Sequence, residues 1–279
     1  MRDALKQAVK SAICMECTLP HSESGVDRSC ISTMKDTCFS NQVPNDIAKI
    51  IYNGIVEFAV NEYEIDYDNL ELEQRKAIIR HIRYNPNADA TQKLKYGFYG
   101  EVLLDLILRC FLKTNVLLAR GYFYSVLEGG EPKGFDVFHL IENNSRLDLW
   151  LGEAKFYRAY KKPITDVMEK LATSLSDEYI SKNLIALIDK EDHFTISSPR
   201  LKAVLDTWEE NPRINLGEEI TKHQIRITYP IFIAYQKTPS DGYHDSVAKC
   251  IEYIASEFAR ISISIPASFN YRLFYCYVN

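Results

Sequence analysis

Residues 134–157 decide the fold and read GFDVFHLIENNSRLDLWLGEAKFY. Two mostly apolar runs, 134–141 and 147–157, flank a polar turn at 142–146. Apolar runs of this length that are separated by a short polar turn predict a β-hairpin. Side chains alternate between the two faces of a strand, so Glu153 and Lys155, two positions apart, point to the same face.

The position of the turn decides where Asp136 lies. If the hairpin is symmetric about Asn144 and Ser145, Asp136 directly faces Glu153, and the two carboxylates meet on one face of the sheet. A three-residue loop would instead pair Asp136 with Gly152 and place the two acids on opposite faces. The loop length therefore decides between the two registers, and a place for Asp136 beside Glu153 depends on the symmetric one.

Asp136, Glu153 and Lys155 together fit the hydrolysis of a phosphodiester bond. That reaction needs a divalent cation to polarise the phosphate, a water that loses its proton and a positive group near the developing charge. Two carboxylates that lose hydration side by side are costly unless a cation lies between them. The alternative is that Asp136 ends a strand and that Glu153 and Lys155 form an exposed ion pair.

Two further groups of residues could belong to the same site. Glu101, on the helix before the sheet, is either an exposed carboxylate paired one turn away or a third acid at the metal. The stretch 155–162 has no acid and interleaves basic with aromatic residues, so it either contacts backbone phosphates or forms a solvated loop. Its nucleic-acid-binding candidates are Tyr157, Arg158, Lys161 and Lys162.

The elements around the hairpin alternate between helix and strand, which predicts an α/β protein. The C-terminal part is expected to contain helix 91–112, strands 116–127, 134–141 and 147–157, a helix from 166, strand 225–236, helix 246–261 and strand 271–278. The N-terminal part is expected to contain helices at 46–58 and 70–84. Between these helices, the acidic segment 57–73 has seven acids and no base. Its alternation suggests an edge strand or an extended loop, either solvated, docked on a basic partner or shielding a phosphate site.

The composition excludes several other activities. The chain has 279 residues and a formal net charge of -5, so no global positive field indicates nucleic-acid binding. It lacks a GxxxxGK[ST] loop and a GxSxG turn, which argues against nucleotide hydrolysis and serine hydrolase chemistry. Neither a signal peptide nor a transmembrane stretch is apparent, so we expect a cytoplasmic protein without a membrane partner.

The cysteines allow a second, weaker metal prediction. Cys14, Cys17, His21, Cys30 and Cys38 lie within one short segment and could form a small zinc site. A second CxxC or HxxxH pair is missing, however. Seven cysteines in a chain without an export signal favour reduced thiols over both zinc and disulfides.

The order of a helix with Glu101, a meander with Asp136 and the tripeptide Glu153–Lys155, and a following helix and strand resembles the PD-(D/E)XK nuclease superfamily. That resemblance implies a restriction-endonuclease-like mixed sheet flanked by helices, with a mostly helical N-terminal region. It also implies that Asp136, Glu153 and the carbonyl of Ala154 bind Mg²⁺, with Mn²⁺ as a possible substitute. Lys155 would position or deprotonate the attacking water, and Glu101 would match the helical acid of many members.

More narrowly, YGEVLL at 99–104, GFDV at 134–137 and LGEAKFY at 151–157 resemble HamA, the nuclease subunit family of the bacterial Hachiman anti-phage defence system. The likeness covers 91–279 as a nuclease domain and leaves 1–90 as a region for partner docking or regulation. It implies DNA as substrate and a superfamily 2 helicase, HamB, as partner in a heteromeric complex. Two alternatives remain, namely a catalytically silent module that regulates a helicase and a site-specific restriction endonuclease.

Overall fold

The structure is a computed structural model. It describes residues 1–19, 28–33, 45–82, 84–85, 87–93, 96–123, 134–142, 146–157, 159–174, 176–195, 198–210, 216–235 and 271–278, with isolated positions between 249 and 260.

Helices and strands are interspersed along the described chain. The helices are α1 (Asp3–Ala12), α2 (Asn45–Ala59), α3 (Leu70–Lys76), α4 (Ala90–Lys93), α5 (Phe98–Phe111), α6 (Lys161–Ser174), α7 (Asp177–Ile188), α8 (Pro199–Glu210) and α9 (Leu216–His223). The strands are β1 (Ile13–Leu19), β2 (Arg28–Thr33), β3 (Asn115–Val116), β4 (Val137–Glu142), β5 (Leu147–Tyr157), β6 (Ile225–Tyr235) and β7 (Tyr271–Val278). Single 3₁₀ turns occur at Glu62–Glu64, Tyr67–Asn69, Arg120–Phe123 and Glu191–His193, and a π-helical segment, Ala77–Ile82, follows α3.

A five-stranded mixed sheet in the order β3-β4-β5-β6-β7 forms the centre of the described chain. The pairs β3–β4 and β4–β5 are antiparallel, whereas β5–β6 and β6–β7 are parallel. The parallel connection from β5 to β6 runs through helices α6 to α9, as a parallel crossover requires. This arrangement confirms the predicted α/β fold with a mixed sheet, flanking helices and a mostly helical N-terminal region.

The alternation of side chains along β5 supplies a core on each face of the sheet. Leu147, Leu149 and Leu151 point to the face that is covered by α6, α7 and α8. Trp150 and Ala154 point to the other face, where they pack with α5 and the N-terminal helices. Glu153 and Lys155 continue the row of leucines, so they lie on the α6–α8 face.

The N-terminal helices share one apolar core with α5. Buried residues of α1 and α2, such as Val9, Ile55 and Phe58, belong to the same cluster as Val102 and Leu106 of α5. Helix α5 is apolar on nearly all sides because it lies between these helices and the sheet. The predicted boundary at residue 90 stays a prediction.

Several predicted elements are confirmed, and the rest differ for local reasons. Strands 147–157 and 271–278 and the helix at 46–58 are confirmed, the last as Asn45–Ala59. The prediction of one helix at 91–112 is wrong, because α4 ends at Lys93 and α5 begins at Phe98. The helix predicted from residue 166 begins earlier, at Lys161, and ends at Ser174, before α7. Most of the helix predicted at 246–261 lies outside the described residues.

One strand prediction is wrong, and for the acidic segment the edge-strand alternative is excluded. In the predicted strand 116–127, pairing with β4 stops at Val116, and a 3₁₀ turn at Arg120–Phe123 follows. The acidic segment is not an edge strand, because it forms the end of α2, two 3₁₀ turns and the start of α3. Some of its acids face the molecule rather than solvent, since Glu57 pairs with Arg2 at 2.7 Å and Glu62 with Arg109 at 2.7 Å.

Candidate active site

Of the two registers that the sequence left open, the β4–β5 hairpin has the symmetric one. Val137 pairs with Gly152 and Glu142 pairs with Leu147, so the three-residue loop is excluded. Asp136 lies one residue before β4, and its N–H donates to the carbonyl of Gly152 at 2.8 Å. Its carboxylate Oδ2 accepts a hydrogen bond from the N–H of Ala154 at 2.7 Å. The side chain of Asp136 is therefore fastened to the backbone of β5 beside Glu153.

Glu153 is held by two other side chains. Its Oε1 contacts the ammonium of Lys155. Its Oε2 accepts a hydrogen bond from the hydroxyl of Tyr229 in β6 at 2.9 Å. The side chains of Glu153 and Lys155 are 18% and 20% exposed, so a ligand can reach both from the same side.

Glu101 reaches the site through an arginine that the sequence did not single out. The Nε of Arg120 lies 3.3 Å from Oε2 of Glu101, and its Nη2 lies 3.6 Å from Oδ1 of Asp136. Glu101 and Arg120 are both buried, with side chains 6% and 2% exposed. The alternative that Glu101 is an exposed helical carboxylate is therefore wrong, and Arg120 joins it to Asp136.

Burial dominates the electrostatics of Asp136. Loss of solvent raises its pKa from 3.8 to about 6, although Arg120, the N–H of Ala154 and Lys155 oppose the rise. The negative charge of Glu153 adds to the rise. Burial and the same carboxylate also raise the pKa of Tyr229 above its ordinary value, so its hydroxyl stays protonated and donates to Glu153.

Gly152 and Pro230 shape the strands at the site. A Cβ on Gly152 would collide with the ring of Pro230 and lie 2.6 Å from the carbonyl oxygen of Pro230. Pro230 lies in a central strand although it has no N–H to donate, and the regular pairing of β5 with β6 is interrupted between Trp150 and Glu153. The irregularity falls immediately before Glu153 and brings the β6 backbone close to β5.

The approach to Asp136 depends on Gly134 and Asn183. Gly134 has φ +123°, a conformation that L side chains rarely adopt, and a Cβ there would lie 2.5 Å from Oδ1 of Asn183. That oxygen accepts a hydrogen bond from the N–H of Phe135 at 3.0 Å. Asn183 of α7 therefore fixes the segment that leads into Asp136.

The donor set fits Mg²⁺. Among the residues that the structure describes, no three His, Cys, Asp or Glu residues cluster as a metal site. Mg²⁺ does not need such a cage, since it usually keeps several waters and takes one or two carboxylates together with substrate phosphate oxygens. Asp136 and Glu153, with the carbonyl of Ala154 between them in β5, provide hard oxygen donors of this kind. Two buried or partly buried carboxylates side by side also favour a cation electrostatically.

The predicted nucleic-acid-binding residues are described only in part. Lys161 and Lys162 begin α6 and are exposed, and the ammonium of Lys161 lies 5.7 Å from the centroid of the Tyr253 ring. Tyr157 ends β5, but its side chain and the whole of Arg158 lie outside the described residues. Of the zinc candidates, His21 and Cys38 and the side chains of Cys14, Cys17 and Cys30 likewise lie outside the described part.

Arg120, Tyr229 and Asn183 are site residues that the sequence did not reveal. Arg120 falls in a stretch that was predicted as a strand, and Tyr229 falls in an apolar run where it resembles any core aromatic residue. Only their contacts distinguish them, since Arg120 and Tyr229 contact the two carboxylates and Asn183 holds the residue before Asp136. A lone arginine among apolar residues was the one available signal for Arg120.

Comparison with known families agrees with the motifs of this site. A family model described as HamA matches residues 14–279. The chain belongs to the HamA family. HamA membership places it among proteins of the Hachiman antiviral defence system, and the match extends into the N-terminal region beyond the expected 91–279. A search of curated proteins finds no match. Within the described residues, none of the helices is long and apolar enough to cross a membrane.

Proposed function

We propose that this HamA-family chain is a metal-dependent DNA nuclease of antiviral defence, which hydrolyses phosphodiester bonds through Asp136, Glu153 and Lys155. One observation carries the proposal. The carboxylate of Asp136 is bonded to the N–H of Ala154, directly between Glu153 and Lys155. This contact brings Asp136, which is distant in sequence, next to Glu153 and Lys155. Two carboxylates and one ammonium therefore lie together on one face of the sheet.

Each residue has a distinct chemical role in this proposal. Asp136, Glu153 and the carbonyl of Ala154 would hold Mg²⁺, which polarises the phosphate and lowers the pKa of a bound water. Lys155 would position the attacking water or take its proton, and its charge would stabilise the developing negative charge on the phosphate. Tyr229 holds Glu153 in place through its hydrogen bond.

The substrate and partner follow from charge and family. Lys161 and Lys162 are exposed at the N-terminus of α6, where backbone amides and the helix dipole also attract phosphate. With Tyr157 and Arg158 they form the proposed DNA contact. Because the chain carries a net charge of -5, we propose that a HamB-like helicase brings it to DNA and restrains it until infection.

The test is plasmid degradation with Mg²⁺ or Mn²⁺, with and without the helicase. Wild type is compared with Glu153→Ala and Lys155→Ala. Glu178→Ala and Lys182→Ala are matched controls, because these residues form an exposed ion pair on α7. We expect the two site variants to lose activity by roughly a hundredfold or more, and the two controls to retain it.

The other outcomes separate the alternatives. If wild type and both site variants are equally inert in every condition while phage protection survives, the chain is a catalytically silent regulator. Discrete bands in place of general loss of plasmid would indicate a site-specific restriction endonuclease. Activity that requires no divalent cation would exclude the assigned roles of Asp136 and Glu153.

A further inference from the structure

We infer that Arg120 is a positioning residue that holds Glu101 and Asp136 together as one unit of the metal site. This inference rests on the proposed function, because it assigns a role toward the same metal. Arg120 lies outside the superfamily motif and outside the set of site residues predicted from the sequence. Its role is inferred from its position between two carboxylates.

Arg120 joins two carboxylates that come from different elements. Glu101 lies in the first turn of α5, and Asp136 lies just before β4. Between them, the Nε of Arg120 is 3.3 Å from Glu101 and the Nη2 is 3.6 Å from Asp136. An arginine has a planar fork of donors that can span two carboxylates, whereas a lysine offers a single compact charge. The geometry therefore depends on the guanidinium and not only on its charge.

The backbone around Arg120 is fixed on both sides. The N–H of Leu117 donates to the carbonyl of Phe138 in β4 at 2.9 Å. The N–H of Ala119 donates to Oδ1 of Asn61 at 3.0 Å. Past the arginine, the hydroxyl of Tyr122 donates to Glu64.

The anchors of Arg120 give part of the acidic segment a structural role. Asn61 and Glu64 belong to the N-terminal region, and they position the turn that carries the arginine. Loss of either anchor, Asn61 or Glu64, should therefore reach the site through Arg120.

The contact with Asp136 leaves room for a metal. At 3.6 Å, Nη2 is beyond ordinary hydrogen-bond distance of Oδ1, whereas Oδ2 is already committed to the N–H of Ala154 at 2.7 Å. Oδ1 can therefore take a cation while Oδ2 keeps its hydrogen bond to Ala154, and Arg120 lies beside Oδ1 at ion-pair distance. The Nε of the same guanidinium pairs with Glu101, so Arg120 links that carboxylate to Asp136.

The experiment measures Mn²⁺ binding by calorimetry on the full chain, together with kcat and KM for plasmid cleavage. The variants are Arg120→Gln and Arg120→Lys, and Arg109→Gln is the matched control. Arg109 is also a buried arginine, but its carboxylate partners are Asp105 of α5, at 3.0 Å, and Glu62 rather than the acids of the site.

For Arg120→Gln we expect Mn²⁺ binding to weaken by about 10- to 100-fold, as is typical when a partner of a metal ligand is lost. The kcat should fall with little change in KM, because the variant does not alter the DNA contact. Arg120→Lys should recover only part of the binding, since it restores the charge but not the fork. Arg109→Gln should lower stability and leave Mn²⁺ affinity unchanged.

Mn²⁺ affinity that is unchanged or higher in Arg120→Gln overturns the inference, because the arginine would then be a structural ion pair or a competitor of the metal. If Arg120→Gln does not fold, Arg120→Lys decides instead, and Mn²⁺ binding equal to wild type in that variant overturns the inference. Failure of the proposed function looks different, since the wild type itself would then neither bind Mn²⁺ nor cleave.

Discussion

Asp136 lowers the stability of the folded protein when its carboxylate is ionised, because burial raises its pKa. A carboxylate whose pKa is raised in the folded state destabilises the fold when it is ionised. Its unfavourable contribution is fully present above the folded pKa of about 6, and it disappears as pH falls toward the unfolded value of 3.8. Such a cost at one position, beside Glu153 and Lys155, is typical of functional sites.

Asp136→Asn should therefore stabilise the protein at pH 7.5 while it abolishes metal-dependent cleavage. The amide oxygen can still accept from Ala154, and Arg120 keeps Glu101 as a partner. The gain should be on the order of 3 kcal/mol. Urea unfolding at pH 7.5 and at pH 4.5 measures it, and the difference from wild type should shrink at the lower pH. A less stable variant at pH 7.5 would contradict the burial argument.

Tyr229→Phe tests how far Glu153 depends on its hydrogen bond. The ring stays buried, so the core should remain filled, but Oε2 of Glu153 loses its donor. We expect metal affinity and kcat to fall by about tenfold, as for other partners of metal ligands. Tyr52→Phe is the control, because Tyr52 is an exposed residue of α2 and makes no contact with the carboxylates of the site. Equal activity of the two variants would argue against a role for the tyrosine.

The residues of the site that lie on the hairpin could be predicted from the sequence, because side chains alternate between the two faces of a strand. The two-residue period placed Glu153 and Lys155 on one face, and the hairpin symmetry placed Asp136 beside them. Arg120 and Tyr229 could not be found in this way. Their partners are distant in sequence, and no period relates a buried arginine to a carboxylate on another element.

Among the secondary-structure elements, a steric constraint at Gly152 fixes how closely β5 passes β6. Gly152 has no room for a Cβ, because the backbone oxygen of Pro230 would lie 2.6 Å away. Gly152→Ala should force the two strands apart and cost about 1–3 kcal/mol, the usual range for an overpacked core. Since Glu153 follows directly, the variant should also lower kcat. Thermal unfolding and plasmid cleavage measure both effects, and normal stability would show that the strands adjust freely.

The contact between α5 and β4 makes the fold sensitive to acid. The ring of His139 is buried between Asp105, at 2.8 Å, and Thr114, at 2.6 Å. Burial lowers the pKa of His139 below 6.5 although Asp105 opposes the shift. Burial alone would raise the pKa of Asp105, but Arg109 and His139 more than offset it and hold that pKa below 3.8.

Because His139 is neutral in the fold, the unfolded state takes up a proton first when pH falls below 6.5, and stability drops from there. Asp136 acts in the opposite direction over part of this range, so Asp136→Asn is the better background for the measurement. In that background we expect stability to fall between pH 7 and 5, and His139→Asn to flatten the fall. A pH profile that is already flat before His139 is replaced would rule out this origin.

Helices and strands were predicted correctly where the hydrophobic pattern of the sequence matched the way the element packs in the fold. Strand β5 and the start of β6 were predicted correctly because mostly apolar runs of this length, rich in aromatic and branched residues, favour a strand. The strand prediction after Val116 was wrong although the residues there favour a strand. The chain turns away from β4 instead, and the side chain of Arg120 in that turn points inward to Glu101. The prediction of one continuous helix at 91–112 was wrong because α4 ends at Lys93 and a separate helix, α5, begins at Phe98.

At the scale of the whole molecule, α5 connects the site to the N-terminal region. Glu101, Asp105 and Arg109 are spaced four residues apart and so follow one stripe of the helix. The first contacts Arg120 at the site, the second contacts His139, and the third contacts Glu62 of the acidic segment. The contact between Arg109 and Glu62 crosses the boundary that the sequence predicts at residue 90. The sequence could not indicate this, because helical periodicity does not reveal which helices share a core.

The shared core makes the independence of the nuclease domain testable. A fragment 91–279 would expose the face of α5 that Ile55 and Phe58 cover, including Val102 and Leu106. At about 25 cal/mol per Å², exposure of roughly 400 Å² of apolar surface would cost about 10 kcal/mol, which is comparable to the whole stability of an ordinary domain. We therefore expect the fragment to bind a hydrophobic dye and to unfold without a cooperative transition. Co-expression with 1–90 should restore cooperativity, whereas a cooperatively folded, active fragment would establish the boundary at residue 90.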